Sequence, residues 1–398
     1  MKKIQLIACL PLCFGAQAFA QCDVFLPPDK IICTDYLHID HCHLAQCVQE
    51  LRTMRDADKL FRIGCALLPT NASRAREWLT AASELGHVEA MYTLAQSYEQ
   101  SGQFNKAWFW YEKAAECHHV MSQVRLAERY YFGQGTPTNM PIAVYWYSQA
   151  GNNGYLPAQI LLGDWYFAGT HCEQNFSLAA YWYELAAQQG DAHAAFHYGA
   201  MLASGNGVDH NPDEAIKWLT VSANLDNLEA QSLLGRLLYK QRRFSEALCW
   251  LKKAASQGDV YSMTTLSRMY RYGHGVSQDF RQSVSYLERA AMFGHTQAQA
   301  MLGLYYNQGI GVPKNYQFAI KWYEAAGRKG NALAQFNLST LYFTGKGTEV
   351  DLVQAYAWAS LAADSGLHSA IEARRLLSNQ MTGPEVVRAQ CLASQLVE

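Results

Sequence analysis

Two histidines, His193 and His197, stand four residues apart, the spacing that puts both imidazoles on one helix face where they could share a metal. No third ligand accompanies them in sequence, so packed or surface histidines are the expectation and no metal site is assigned. A denser group lies between residues 36 and 43, reading Tyr-Leu-His-Ile-Asp-His-Cys-His. Its three histidines, Asp40 and Cys42 could ligate zinc, although the spacing matches no known finger. The rival chemistry is disulfide formation. Cys22, Cys33, Cys42 and Cys47 form an even cluster, which in an oxidising compartment favours disulfides over metal. Four cysteines allow three connectivities, and the sequence does not choose among them. Cys65, Cys117, Cys172, Cys249 and Cys391 are scattered and read as individual, mostly packed thiols.

Catalytic arrangements are missing where they would be most recognisable. There is no Ser-x-x-Lys, Lys-Thr-Gly or His-Glu-x-x-His. Gly-x-Gly elements recur, but no Gly-Lys-Ser/Thr accompanies them and they follow helical patterns, so they are turns and not phosphate loops. The chain is therefore read as a non-enzyme, with no catalytic residue and no cofactor.

Charge and targeting narrow the remaining classes. The 398 residues carry 32 basic and 34 acidic side chains, a net charge of −2, which argues against a general nucleic-acid footprint. Half the residues are apolar, enough to exclude wholesale disorder. Lys2 and Lys3 precede an apolar stretch from Ile4 to Phe14, and Ala18-Phe19-Ala20 supplies small residues at −3 and −1. Residues 1–20 thus read as a secretory signal peptide cleaved after Ala20, too short to anchor in a membrane. Export to the periplasm or the outside is the expectation, with no transmembrane segment.

What must position any functional residue is a repeat. A 36-residue unit, typified by 297–332, begins also at Met121, Pro157, His193, Tyr261 and Leu333, and 32-residue variants begin at Ala57, Glu89 and Glu229. A fixed period of this length identifies a solenoid. In the type copy Ala298, Leu302, Gly303 and Tyr306 share one helical face. The small residue at position 7 (Gly163, Gly199, Gly235, Gly303) predicts close approach of a neighbouring helix. A Gly-x-Gly turn follows, as at Gly309 and Gly311, where glycine supplies positive φ. Asn139, Asn175, Asn211, Asp279, Asn315 and Asp351 are then N-caps of second helices. Those helices carry a recurrent Trp, at 146, 182, 218, 322 and 358, whose fixed register indicates core packing. The 32-residue copies lack the glycine turn. Thr382 and Glu385 suggest a capping box opening a final helix.

The Leu-Gly-x-x-Tyr signature, the Gly-x-Gly turn and the Ala-x-x-Trp-Tyr-x-x-Ala-Ala helix resemble the Sel-one-like repeat family, a relative of the tetratricopeptide repeat. The resemblance covers about 57–368 and is weakest in the first copy, where Phe61-Arg62-Ile63-Gly64 departs from the pattern. It implies an all-α, right-handed superhelical solenoid of helix-turn-helix repeats acting as a scaffold or adaptor. Exported bacterial members of similar layout support host-cell interaction, virulence or envelope assembly. The organisation is then 1–20 signal peptide, 21–56 Cys/His-rich segment, 57–368 nine repeats and 369–398 C-terminal capping helices. A cysteine-rich branch of the family is linked to β-lactam hydrolysis, but its paired cysteine closing each repeat is absent here.

By analogy with the tetratricopeptide fold, first helices line an inner groove with positions 1, 4, 8, 11 and 12. Two stretches stand out there. Val124, Glu128, Tyr131, Phe132, Ile160, Asp164 and Phe167 give an apolar floor with acidic edges. Arg236, Tyr239, Tyr261, Arg268, Arg271 and Tyr272 combine the two residue types most enriched at binding hot spots. Arginine forks suit carboxylates. The expected partner is a protein or peptide, with the arginine–tyrosine patch gripping an acidic peptide, a C-terminus or an anionic glycan, and Tyr131, Phe132 and Phe167 belong to the same set of candidate contacts. Oligomeric state is not legible.

Overall fold

A computed structural model describes the backbone of residues 41–396 and the side chains of 46–396. The expected signal peptide at 1–20, Cys22, Cys33, the Cys42 side chain and the zinc alternative around His38 lie outside the described residues. Among the described residues there are 21 helices and no strand, and these divide into two compact units between Tyr155 and Leu156. The first unit holds α1 (His41–Thr53), α2 (Ala57–Leu67), α3 (Ala72–Glu84), α4 (Val88–Gln100), α5 (Phe104–Glu116), α6 (Val120–Phe132) and α7 (Met140–Asn152). The second begins with α8 (Leu156–Ala168), α9 (Phe176–Gln188), α10 (Ala192–Ser204), α11 (Pro212–Asn224), α12 (Leu228–Lys240), α13 (Phe244–Ser256) and α14 (Val260–Tyr272). It continues with α15 (Phe280–Met292), α16 (Thr296–Gln308), α17 (Tyr316–Gly327), α18 (Ala332–Thr344), α19 (Leu352–Asp364), α20 (His368–Ser378) and α21 (Gly383–Leu396).

From α2 to α19 the helices pair as the repeat predicts, first on second within a copy and second on the next first helix within each unit. Successive first helices also touch one another (α2 with α4, α10 with α12, α12 with α14, α16 with α18), whereas second helices do not approach as closely. The first helices therefore form the inner side of each unit.

The caps explain why the helices start where they do. Asn139, Asn175, Asn211, Asp279, Asn315 and Asp351 each accept a hydrogen bond from a backbone N–H two or three residues on, as expected. First helices are capped as well, and three use histidine. The Nδ1 atoms of His87, His119 and His295 accept from the N–H groups of Ala90, Ser122 and Ala298. Burial lowers the pKa of His119 and His295, which keeps those rings neutral and able to accept.

The position-7 glycines are contact points. A Cβ on Gly163 or Gly303 would lie 2.7 or 2.6 Å from the ring of Tyr183 or Tyr323, and one on Gly235 would lie 2.7 Å from Leu251. Gly64 plays the same part against Leu79, where a Cβ would come within 2.7 Å. Counted from Ala57 it is one place late, so the first copy is in register from Asp58, which is why it looked divergent in sequence.

A buried glutamine ties consecutive copies together. The Nε2 atoms of Gln123, Gln231, Gln299 and Gln335 donate to the carbonyls of Ala115, Ala223, Ala291 and Gly327 at 2.8–3.2 Å. Each of those carbonyls lies in the last turn of a second helix and also accepts from the backbone N–H three residues on, so the glutamine adds a second bond that ties the helix end to the next copy. The recurrent Trp is only partly core: Trp182 and Trp358 are buried, while Trp146, Trp218 and Trp322 are half-buried.

Left-handed turn residues show where the array carries strain. His118 and Arg242 have φ of 63° each, in places where sibling copies put glycine, as at Gly258 and Gly102. A left-handed conformation costs a non-glycine residue about 1–2 kcal/mol, partly offset by glycine's entropy in the unfolded chain. His118→Gly and Arg242→Gly should each stabilise the protein by about 0.5–1 kcal/mol, read as a higher urea midpoint. A lower midpoint would show that the side chains make up for the strain.

At the C-terminal end α20 and α21 both pack on α19, burying Tyr356, Leu377 and Ala389 in one cluster. Half of the expected capping box forms. The Glu385 carboxylate accepts from both the N–H and the hydroxyl of Thr382 at 2.8 Å, so the hydroxyl is turned to the carboxylate and not to the Glu385 N–H. These bonds hold the Glu385 carboxyl below its usual pKa.

Candidate partner-binding face

The arginine and tyrosine side chains singled out in sequence come together on the first-helix side of the second unit, across α12, α14 and α16. Arg236 on α12 lies over the Tyr261 ring of α14 at 5.5 Å, and Arg271 on α14 lies 5.2 Å from the centroids of both Tyr272 and Tyr305. Tyr239 meets Arg268 and also His274, the latter at 3.0 Å between Oη and Nδ1. Burial raises the Tyr239 pKa, with the Arg268 charge acting against it. Tyr261 and Tyr272 remain 54% and 55% exposed, which leaves flat aromatic surface beside the cations.

Electrostatically the patch is unbalanced. Among the described residues, no carboxylate lies within 4 Å of the guanidinium nitrogens of Arg236, Arg268 or Arg271, whereas Arg125, Arg129, Arg243 and Arg374 all have an acidic partner. A cation–π contact leaves the charge of arginine available to an incoming anion.

One participant was missed. His274 is the middle residue of the turn Gly273-His274-Gly275, and it stacks on Phe244 at 4.7 Å and on Tyr272 at 5.6 Å. Reading the turn as purely structural hid it. The available signal was that the residue between the two glycines varies from copy to copy (Gln134, Asn206, His274, Ile310, Lys346) while the glycines stay. Ile310, its counterpart in the next copy, lines a pocket of about 460 Å³ with Arg271, Tyr272, Gln278, Phe280, Gly309 and Gly311.

The other expected groove residues fare unevenly. Tyr131 and Phe132 stand edge to face at the end of α6 in the first unit, with Phe132 60% exposed. Val124, placed in the groove by its register, is buried at 5% exposure, because position 4 sits at the edge where first helices meet. Phe167, in the second unit, is half-buried and packs edge-on against Phe176, Tyr183 and His197. It belongs to a second constellation. The Asp164 carboxylate accepts from Tyr183 Oη at 2.7 Å and pairs with His193 Nε2 at 3.0 Å. His197 stacks flat on Tyr183 at 4.9 Å and lies 4.3 Å from the His193 ring.

That environment separates the two histidines. The Asp164 hydrogen bond raises the His193 pKa, while burial, with the His193 charge, lowers that of His197 to about 4. Asp164 is shifted below its usual value: its bonds to His193 and Tyr183 outweigh the burial that would raise it. The carboxylate bonds directly to one imidazole and the other imidazole stacks on a phenol, so the three do not converge on a point. Among the described residues no group of three or more His, Cys, Asp or Glu side chains could hold a metal ion. Among the described residues Cys47, Cys65, Cys117, Cys172, Cys249 and Cys391 form no disulfide with one another. The side chains with which Cys47 was expected to pair lie outside the described residues. No helix among the described residues is long and apolar enough to cross a membrane.

Antiparallel helix pairs stacked with a 32- or 36-residue period and a side-chain-bearing inner side define an α-helical repeat solenoid. The Sel1 repeat profile matches nine segments, 66–87, 88–119, 120–155, 156–191, 192–227, 228–259, 260–295, 296–331 and 332–367, and the chain belongs to the Sel1 repeat family. Among solved structures it is similar to a Sel1 repeat protein from Oxalobacter formigenes, with 28% identity over 61% of this chain and 96% of that one and a TM-score of 0.49. It is also similar to c5321, a protective antigen of uropathogenic Escherichia coli strains, with 24% identity over 89% and 94% of the two chains and a TM-score of 0.41. A third is a Sel1 repeat protein from Klebsiella pneumoniae, with 20% identity over 50% and 99% and a TM-score of 0.34. No curated protein matches the chain. Repeat solenoids of this kind are typical protein–protein interaction scaffolds and generally not enzymes.

Proposed function

We propose that this protein is an exported scaffold that binds a partner through an acidic peptide segment laid on the α12–α14–α16 face. The observation that carries the reading is the set of three arginines, Arg236, Arg268 and Arg271, grouped with exposed tyrosines and with no carboxylate within 4 Å of their guanidinium nitrogens among the described residues. Placing three cations together without counter-charges is unfavourable unless something else supplies the anions. Tyrosine and arginine then give both the flat contact area and the directional carboxylate bonds of a binding hot spot. Export rests on the pattern at residues 1–20, and a role in host contact, virulence or envelope assembly rests on family resemblance.

The double variant Arg236→Glu/Arg268→Glu should lose partner capture from crosslinked cells by at least tenfold, since like charges then face each other. Its melting temperature should stay close to wild type, because neither arginine is in an ion pair among the described residues. Undiminished capture by a folded double variant would refute the acidic-partner reading. Fractionation and N-terminal sequencing test export: a mature chain starting at Gln21 is expected, and a cytoplasmic chain retaining residues 1–20 would refute it.

A further inference from the structure

The pocket beside Arg271 deepens the reading just given and rests on it. Its walls are the side chains of Tyr272, Phe280 and Ile310 and the backbone of Gly309 and Gly311, with Arg271 and Gln278 to one side. The cup is held open by backbone. Gly309 and Gly311 both have positive φ, and Gly311 lies so close to Phe280 that a Cβ would come within 2.5 Å of the Phe280 carbonyl oxygen. The backbone stretches that carry Phe280 and Ile310 are therefore held against each other, and Phe280 keeps 39% of its surface exposed towards the cup.

Most polar groups around the cup are already committed. Gln278 Nε2 donates to the Arg271 carbonyl at 2.8 Å. The Asp279 carboxylate accepts from the N–H groups of Arg281 and Gln282. The Arg271 guanidinium, between two tyrosine rings, has no carboxylate partner among the described residues. Lys314, at the end of the same turn, has its ammonium 5.7 Å from the centroid of the Tyr316 ring, which leaves Arg271 as the cation of the rim. An apolar cup with a cationic rim complements a bulky apolar side chain that has a carboxylate next to it.

We infer that the acidic partner segment carries an aromatic or large aliphatic side chain that inserts between Phe280 and Ile310 while the adjacent carboxylate meets Arg271. The occupant is thus a peptide of the acidic-apolar-acidic type, and the pocket sets its register on the α12–α14–α16 face. The other Gly-x-Gly turns carry Gln134, Asn206, His274 or Lys346 in place of Ile310, so the aliphatic wall is particular to this turn.

The test uses the full chain and two fluorescein-labelled peptides, seven residues long, alternating Asp and Glu around a central Phe or a central Ala, titrated by fluorescence anisotropy. Burying the phenyl ring should make the Phe peptide bind at least about tenfold more tightly than the Ala peptide. Ile310→Ser should shrink that ratio to threefold or less. Arg271→Gln should weaken both peptides alike. Equal affinity of the two peptides for wild type overturns the pocket inference while the acidic-partner reading stands. Failure of wild type to bind either peptide overturns both. If Ile310→Ser does not fold, the comparison of the two peptides on wild type still decides.

Discussion

Gly311→Ala is expected to destabilise the second unit by about 3 kcal/mol, against about 1 kcal/mol for Gly330→Ala. The two glycines share a left-handed backbone, with φ of 70° and 82°. They differ in surroundings. A Cβ on Gly330 would meet nothing within 4 Å, whereas one on Gly311 would lie 2.5 and 2.6 Å from the carbonyl oxygen and carbon of Phe280. Both variants therefore carry the left-handed penalty of about 1–2 kcal/mol, offset by the lower entropy of the unfolded alanine chain. Only Gly311→Ala adds an overpacking term of about 1–3 kcal/mol, and the obstacle is backbone, which cannot rotate aside like a side chain. Gly275 against Phe244 and Gly347 against Tyr316 repeat the contact, so the second glycine of the turn is where one copy touches the second helix of the copy before it. Urea melts of the two variants measure the difference. Equal losses would mean that the turn needs glycine for its φ alone.

The glycine turn also marks the boundary of what was legible. Period, helix pairing and the six second-helix N-caps could be read because they depend on residues within one copy: Asn315 caps Phe318 three residues away. The closeness of Gly311 to Phe280 joins residues 31 apart in different copies, and no local pattern contains it. The same holds for Gln299, whose bond to the Ala291 carbonyl crosses between copies, although its recurrence at position 3 was a signal left unused. Val124 shows a second limit. Periodicity assigns a residue to a face of its own helix but does not say whether the neighbouring helix covers that edge, and position 4 is covered at Val124 and Ser232 alike. The arginine–tyrosine face was readable because exposure and variability coincide there. His274 and Ile310 were not, since glycine on both sides made their turn look wholly structural.

His193 and His197 should titrate in opposite directions, and this predicts a pH dependence of stability with a turning point. The unfolded chain titrates both near 6.5. His197 has its folded pKa lowered to about 4, so its contribution is fully present above pH 6.5 and is lost as pH falls towards 4. His193 is raised by Asp164, so its contribution is fully present below pH 6.5 and is lost as pH rises through its folded pKa. The pair is therefore most stabilising near pH 6.5. A drop from 6.5 to about 4 corresponds to roughly 3 kcal/mol, reduced to about 2 kcal/mol because the ring keeps some contact with water that screens its charge. His119 and His295 act in the same direction as His197, so the informative quantity is a difference between variants. His197→Phe keeps the flat contact with Tyr183 and removes the titration. Wild type should lose about 2 kcal/mol more than this variant between pH 7 and pH 4.5. Asp164→Asn should bring the His193 midpoint down by removing the anion that raises it. Proton NMR reads the two midpoints directly, one near 4 and one above 6.5. Coincident midpoints, or parallel stability curves for wild type and His197→Phe, would show that the stacking of His197 on Tyr183 does not desolvate the ring. The phenol and carboxylate would then join α8 to α10 without discriminating between the two imidazoles.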